Sequence, residues 1–126
     1  MTIFIIITYS NNFSNEVVKY FKSQNVCNHF NFYFLPIGLD ENDEEIILTK
    51  IHEKINEFKN VDTIAIFSDA GLPTKFAKRI LIKDPNISFY RSTGSIIENG
   101  FLTYMMLNTK APKETIETVL DCKIDK

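Results

Sequence analysis

The sequence predicts an α/β fold: a doubly wound, mainly parallel four-stranded sheet of strand order 2-1-3-4 with helices on both faces. Three observations predict it. Residues 3–7 (Ile3, Phe4, Ile5, Ile6, Ile7) are apolar without alternation, as in a strand covered on both faces. Short apolar runs then alternate with segments of helical period, in the order β-α-β-α-β-α-β-α-α, which calls for right-handed crossovers between parallel strands. Finally, the first and third runs both end in short polar turns, Thr8-Tyr9-Ser10 and Ser68-Asp69-Ala70-Gly71. With strand order 2-1-3-4 the switch point lies between those strands, so the two turns face each other across one crevice.

The first strand gives way at Asn11, Asn12 and Ser14 to side chains that cap helices, and Phe13, Val17 and Phe21 recur every four residues with Tyr20 beside them. This predicts a helix over 14–24. Residues 25–28 form a turn. Phe30, Phe32 and Phe34 mark a second strand that ends near Leu35 and is closed by Pro36 and Gly38.

The acidic run 40–45 places carboxylates in the first turn of the next helix, where they complement the helix dipole. Ile47, Ile51, Ile55 and Phe58 give that helix one apolar stripe ending near Lys59. The acids lack the alternating oxygen ligands around a glycine that calcium requires, so no metal site is expected there. Residues 63–67 (TIAIF) are a third buried strand. Pro73 suits the first position of a helix whose buried face is Phe76, Ala77, Ile80 and Leu81. After a turn at Asp84-Pro85-Asn86, residues 87–90 form a fourth strand. Ser92, Thr93, Gly94 and Ser95 then make a polar loop whose amides precede a helix and offer an anion site.

The helix expected over 96–107 (Ile96, Ile97, Phe101, Leu102, Tyr104, Met105, Met106, Leu107) leaves almost no polar face. A helix of that kind is buried on more than one side, which points to a second subunit and a homodimer. Pro112 opens a short last helix carrying Ile116, Val119 and Leu120.

A chain of 126 residues with net charge −2 fits one domain, residues 1–126. Its mixed charges give no electrostatic case for nucleic acid. The N-terminal apolar run is too short to span a bilayer and has no basic region before it, so a cytoplasmic chain with no membrane span is expected. Cys27 and Cys122 lack the spacing of a zinc or redox pair.

From residue 2 to residue 121 the chain resembles the mannose-type enzyme IIA domains of the bacterial phosphotransferase system. Among these it is most similar to the phosphocarrier subunit of phosphotransferase-dependent dihydroxyacetone kinase. The family's Ser-His-Ser turn after the first strand corresponds to Thr8-Tyr9-Ser10, and its Asp-x-Gly-Ser turn to Asp69-Ala70-Gly71-Leu72. Ser95-Ile96-Ile97-Glu98 matches a Pro-Leu-Val-Glu helix start, and Glu45-Ile46-Ile47 stands in place of a Gly-Thr-Ser turn. The resemblance implies a phosphocarrier that takes a phosphoryl group from HPr and passes it to a dihydroxyacetone kinase or a sugar permease component. No cofactor is implied. The family's aspartate, here Asp69, orients the acceptor imidazole.

Tyr9 stands where that histidine is expected. A phenol of pKa about 10 is hardly ionised at neutral pH and is a poor nucleophile without a base. The two histidines of the chain are no substitute. His29 precedes the second strand, roughly 20 Å from the crevice at about 3.3 Å per residue. His52 lies some 13 Å along a helix that runs away from it, at about 1.5 Å per residue. Arg91 and Lys83 are expected in solvent. Three readings compete: a phosphocarrier with a non-standard acceptor, a degenerate member that binds a partner or small anion, and a response-regulator receiver. The receiver needs an acidic pair after the first strand to hold magnesium, where this chain has Tyr9, Ser10, Asn11 and Asn12. The expected site therefore comprises Tyr9 and Asp69, with Thr8, Ser10, Gly71, Ser92, Thr93, Gly94 and Ser95 as substrate or anion contacts.

Overall fold

In a computed structural model of the chain, residues 1–23, 32–93, 100, 104–106, 112 and 114–116 are described. The elements follow as β1 (Thr2–Thr8), α1 (Asn11–Ser23), β2 (Phe32–Gly38), α2 (Glu44–Glu57), β3 (Thr63–Ser68), α3 (Leu72–Ala77) and β4 (Ser88–Thr93). All strand pairs are parallel and the order is β2-β1-β3-β4. Central β1 is buried along its whole length, which is why it carries no alternation.

Successive residues of β1 point to opposite faces, and the two faces receive different side chains. Ile3, Ile5 and Ile7 join Ile37, Ile64 and Ile66 under the stripe Ile47, Ile51 and Ile55 of α2, with Phe76, Ala77 and Ile80 completing the layer. On the other face Phe4 and Ile6 pack with Phe34, Phe67 and Tyr90 under Val17, Val18 and Phe21 of α1. The chain moves from β1 to β2 on one side and from β2 back past β1 to β3 on the other. Right-handed crossovers therefore place α1 on the aromatic face, where the helical residues Tyr104 and Ile116 also pack, and α2 with α3 on the aliphatic one.

Several element bounds differ from the sequence expectation. The first helix begins at Asn11 rather than residue 14 because the Ser10 hydroxyl accepts from the Phe13 amide (3.2 Å). β2 runs through Pro36 to Gly38 instead of stopping near Leu35. β2 is an edge of the sheet among the described strands, where a proline is tolerated. A Cβ on Gly38 would lie 2.0 Å from the Asn11 backbone nitrogen, so only glycine lets the end of β2 pass the start of α1. α3 ends at Ala77, and Leu81, expected in its buried face, is 63 % exposed. β4 extends to Thr93.

Gly100 and Tyr104–Met106 are helical, as expected for the 96–107 segment, and Tyr104 is fully buried in the aromatic layer. Residues 114–116 are helical after Pro112, whose carbonyl accepts from the Ile116 amide (3.2 Å). The remainder of the 96–107 helix proposed for a dimer contact lies outside the described residues, as do Val119, Leu120, Cys27, Cys122, His29 and Phe30.

Candidate functional site at the carboxyl edge of the sheet

The turn after β1 is held from three sides. The Leu39 and Asp40 amides donate to the Thr8 and Tyr9 carbonyls, each at 3.0 Å, and the Asp40 carboxylate accepts from the Asn11 amide (2.9 Å). Beneath, the buried Ser14 hydroxyl donates to the Ile37 carbonyl (2.7 Å), and the Thr8 hydroxyl lies 2.8 Å from Ser14 Oγ. Thr8 Oγ1 also donates to the Ser10 carbonyl (2.8 Å). Burying these hydroxyls without partners would cost about 1–3 kcal/mol each, so the network fixes how β1 enters α1. Thr8 is 1 % exposed. Its hydroxyl belongs to this internal network, which corrects the expectation that it contacts a ligand. Ser10 likewise serves as the cap of α1.

Tyr9 is the side chain this frame projects outward. It is 51 % exposed, and its hydroxyl accepts from the Leu72 amide at 3.4 Å. One long hydrogen bond thus joins the loop after β1 to the loop after β3, across the switch point.

The second loop is shaped by local bonds. The Asp69 amide donates to the Ile7 carbonyl (3.2 Å), continuing the ladder by one residue, and the Thr74 hydroxyl donates to the Asp69 carbonyl (2.7 Å). Gly71 has φ 91°, a conformation that disfavours side chains, and a Cβ there would lie 3.2 Å from the Tyr9 hydroxyl. Both facts tie glycine to this position. The Asp69 carboxylate is partly buried, and it forms no hydrogen bond or ion pair among the described residues. Burial pushes its pKa above the ordinary value, as expected for a desolvated acid without a compensating cation.

Of the residues expected from sequence, Tyr9, Asp69 and Gly71 come to this crevice. Ser92 and Thr93 do not form the anticipated anion loop, because both belong to β4 in register with Phe67 and Ser68. Gly94 and Ser95 lie outside the described residues. Arg91 is not in solvent. It is half-buried, donates to the Ile80 carbonyl (3.1 Å) and covers the Phe89 ring, so desolvation lowers its pKa. His52 lines a groove with Ile87, just before β4 and away from the crevice.

Sequence reasoning missed Asp40 and Leu72. Asp40 was hidden in an acidic run that reads as helix-terminal charge. Leu72 contributes only its backbone amide, which no side-chain pattern can reveal. Among the described residues no group of three His, Cys, Asp or Glu could hold a metal ion, and no helix is long and apolar enough to cross a membrane.

Comparison with solved proteins finds the same architecture in a crystal structure described as that of the unknown function protein EF1359. The TM-score is 0.66 at 17 % sequence identity, over 98 % of this chain and 93 % of that one. At that identity the likeness is one of fold. No family profile and no curated protein sequence matches the chain.

Chemically, the crevice offers a phenol hydroxyl and a carboxyl group of raised proton affinity. The phenol oxygen already accepts the Leu72 amide, which leaves its own proton to donate outward. Neither group is a strong nucleophile as it stands.

Proposed function

We propose that the chain is an enzyme IIA-like protein of the phosphoenolpyruvate-dependent phosphotransferase system, mannose type, in which phosphoryl transfer is degenerate. The observation that carries this reading is Tyr9, at the tip of β1 where the resemblance calls for the phosphoaccepting histidine, with its hydroxyl turned to the Leu72 amide. The parallel β2-β1-β3-β4 sheet and Asp69 at the tip of β3 support the same setting. An imidazole forms a phosphoramidate that donates onward, whereas a phosphotyrosine ester is too stable to do so readily. Expected partners are an HPr-like carrier and a dihydroxyacetone kinase or sugar permease component, in the cytoplasm, with the chain as a homodimer.

A second reading is a partner-binding module with no relay. The exposed Tyr9 and Leu72, 51 % and 52 %, favour it by leaving apolar surface at the crevice mouth. Incubation with phosphoenolpyruvate, enzyme I and HPr tests both. Wild-type chain should take up no acid-labile phosphate. Label that is acid-labile would restore the active phosphocarrier with a non-standard acceptor, and its mapped position would name that acceptor. Tyr9→His should accept phosphate if the rest of the crevice is of the enzyme IIA kind; failure of the folded variant to do so would remove the family reading. Sedimentation showing a monomer would remove the dimer.

A further inference from the structure

Four exposed residues form a line across the carboxyl edge of the sheet, and the bonds around them fix their order. Asp40 sits beside Tyr9, because its amide donates to the Tyr9 carbonyl (3.0 Å). The Tyr9 hydroxyl in turn meets the Leu72 amide (3.4 Å). Lys75 follows Leu72 by three residues on α3, which makes the two neighbours on one helix face. The line therefore reads acid, apolar, apolar, base.

The charges at its ends are uncommitted. The Asp40 carboxylate accepts only the Asn11 amide, and Lys75 makes no ion pair among the described residues. Each end is reinforced by a charge of its own sign. Asp43, the cap of α2, follows Asp40, and Lys78 lies one turn beyond Lys75; neither forms an ion pair among the described residues. The other charges of this edge are matched, Glu41 by Lys50 and both Glu44 and Glu45 by Arg79. Asp69 is partly buried at the tip of β3, between the two ends.

Such a line is complementary to itself. A two-fold axis through its middle sets the acid of each copy against the base of the other, and Tyr9 against Leu72. A surface of one charge sign would instead meet a like charge at one end. We propose that this edge docks a second copy of the chain, antiparallel along the line, so that the two crevice mouths close on each other. Exposed Phe13, in the first turn of α1, adds apolar surface beside the turn after β1. A contact of so few side chains belongs with interfaces below about 1,200 Å², which are transient. The dimer therefore exchanges with monomer, and any other partner of the crevice competes with the second copy. The inference does not rest on the phosphotransferase reading, and it uses a different face from the 96–107 helix.

Sedimentation equilibrium of the full chain over a range of concentrations tests it. The average mass should rise with concentration in dilute salt. The dissociation constant should increase at about 1 M salt, where the screening length falls to about 3 Å. Asp40→Lys and Lys75→Glu should each raise that constant roughly tenfold, because each sets like charges together at both ends of the contact. An equimolar mixture of the two variants should regain wild-type association, since both ends of the mixed dimer again hold opposite charges. Lys75 is exposed and unpaired, so its variant is expected to fold, and an amide spectrum checks Asp40→Lys. A monomer at every concentration, a dimer indifferent to salt and to both variants, or a mixture no tighter than its components would each overturn the proposal. An indifferent dimer would assign association to another face. Phosphate uptake is measured separately, so the phosphotransferase reading can fail without this one.

Discussion

The two faces of the sheet bury side chains of different kinds. One is built from branched aliphatics, Ile3, Ile5, Ile7, Ile64 and Ile66 against the isoleucines of α2. The other is built from rings: Phe4 stacks on Phe67 with centroids 4.9 Å apart and meets Phe21 edge-on at 5.9 Å. Aliphatic packing depends on volume and buried area, whereas ring pairs add a preference for relative orientation. The aromatic face should therefore tolerate changes of shape less well than the aliphatic one. The loop after β1 leads to the aromatic face and the loop after β3 to the aliphatic face, so the crevice is the boundary between the two layers.

The largest expected effect breaks the frame that both faces share. Gly38→Ala drives a Cβ to 2.0 Å from the Asn11 nitrogen, backbone against backbone, with no side chain that can give way. A loss of more than about 3 kcal/mol, or failure to fold, is expected in urea denaturation. A stable variant would mean that α1 can shift along the sheet.

A matched pair tests the comparison itself. Phe4→Leu removes ring contacts with Phe21, Phe34, Phe67 and Tyr104, each worth about 0.5–1.5 kcal/mol beyond area, so a loss of at least about 2 kcal/mol is expected. Ile5→Leu, the neighbouring residue on the other face, should cost less than about 1.5 kcal/mol. Equal losses would show that ring geometry contributes nothing beyond volume.

Ser10→Ala should cost about 1 kcal/mol by leaving the Phe13 amide uncapped. Glycine at the same position should recover most of it, and amide exchange of the first turn of α1 would report the change.

The smallest effect lies in the crevice. The pKa of Asp69 is raised by burial, so the folded state binds its proton more readily than the unfolded chain does. Its contribution to stability is best below the ordinary carboxylate value and is lost as pH rises through the raised one. Asp69→Asn should therefore increase the melting temperature slightly near pH 7, with the gain vanishing as pH falls below about 4. A gain that persists in acid would assign the effect to packing instead of charge.

Sequence alone determined the fold class and strand order, because the buried run 3–7 and the alternation of apolar strands with helical stripes depend only on which faces must leave water. It also placed Tyr9 and Asp69 at the two strand tips, since parallel topology fixes where those tips meet. Tertiary structure decided what each residue does there. Thr8 and Ser10 read as polar turn residues, yet burial and capping commit their hydroxyls to the backbone and to Ser14. Ser92 and Thr93 read as loop, yet pairing with Phe67 and Ser68 of β3 carries the strand through them. Arg91 read as solvated, yet the short α3 exposes the Ile80 carbonyl for it to bind. The link between Tyr9 and Leu72 was least legible of all. It joins a side chain to a backbone amide 63 positions away, and an amide leaves no mark in the identity of the residue that bears it.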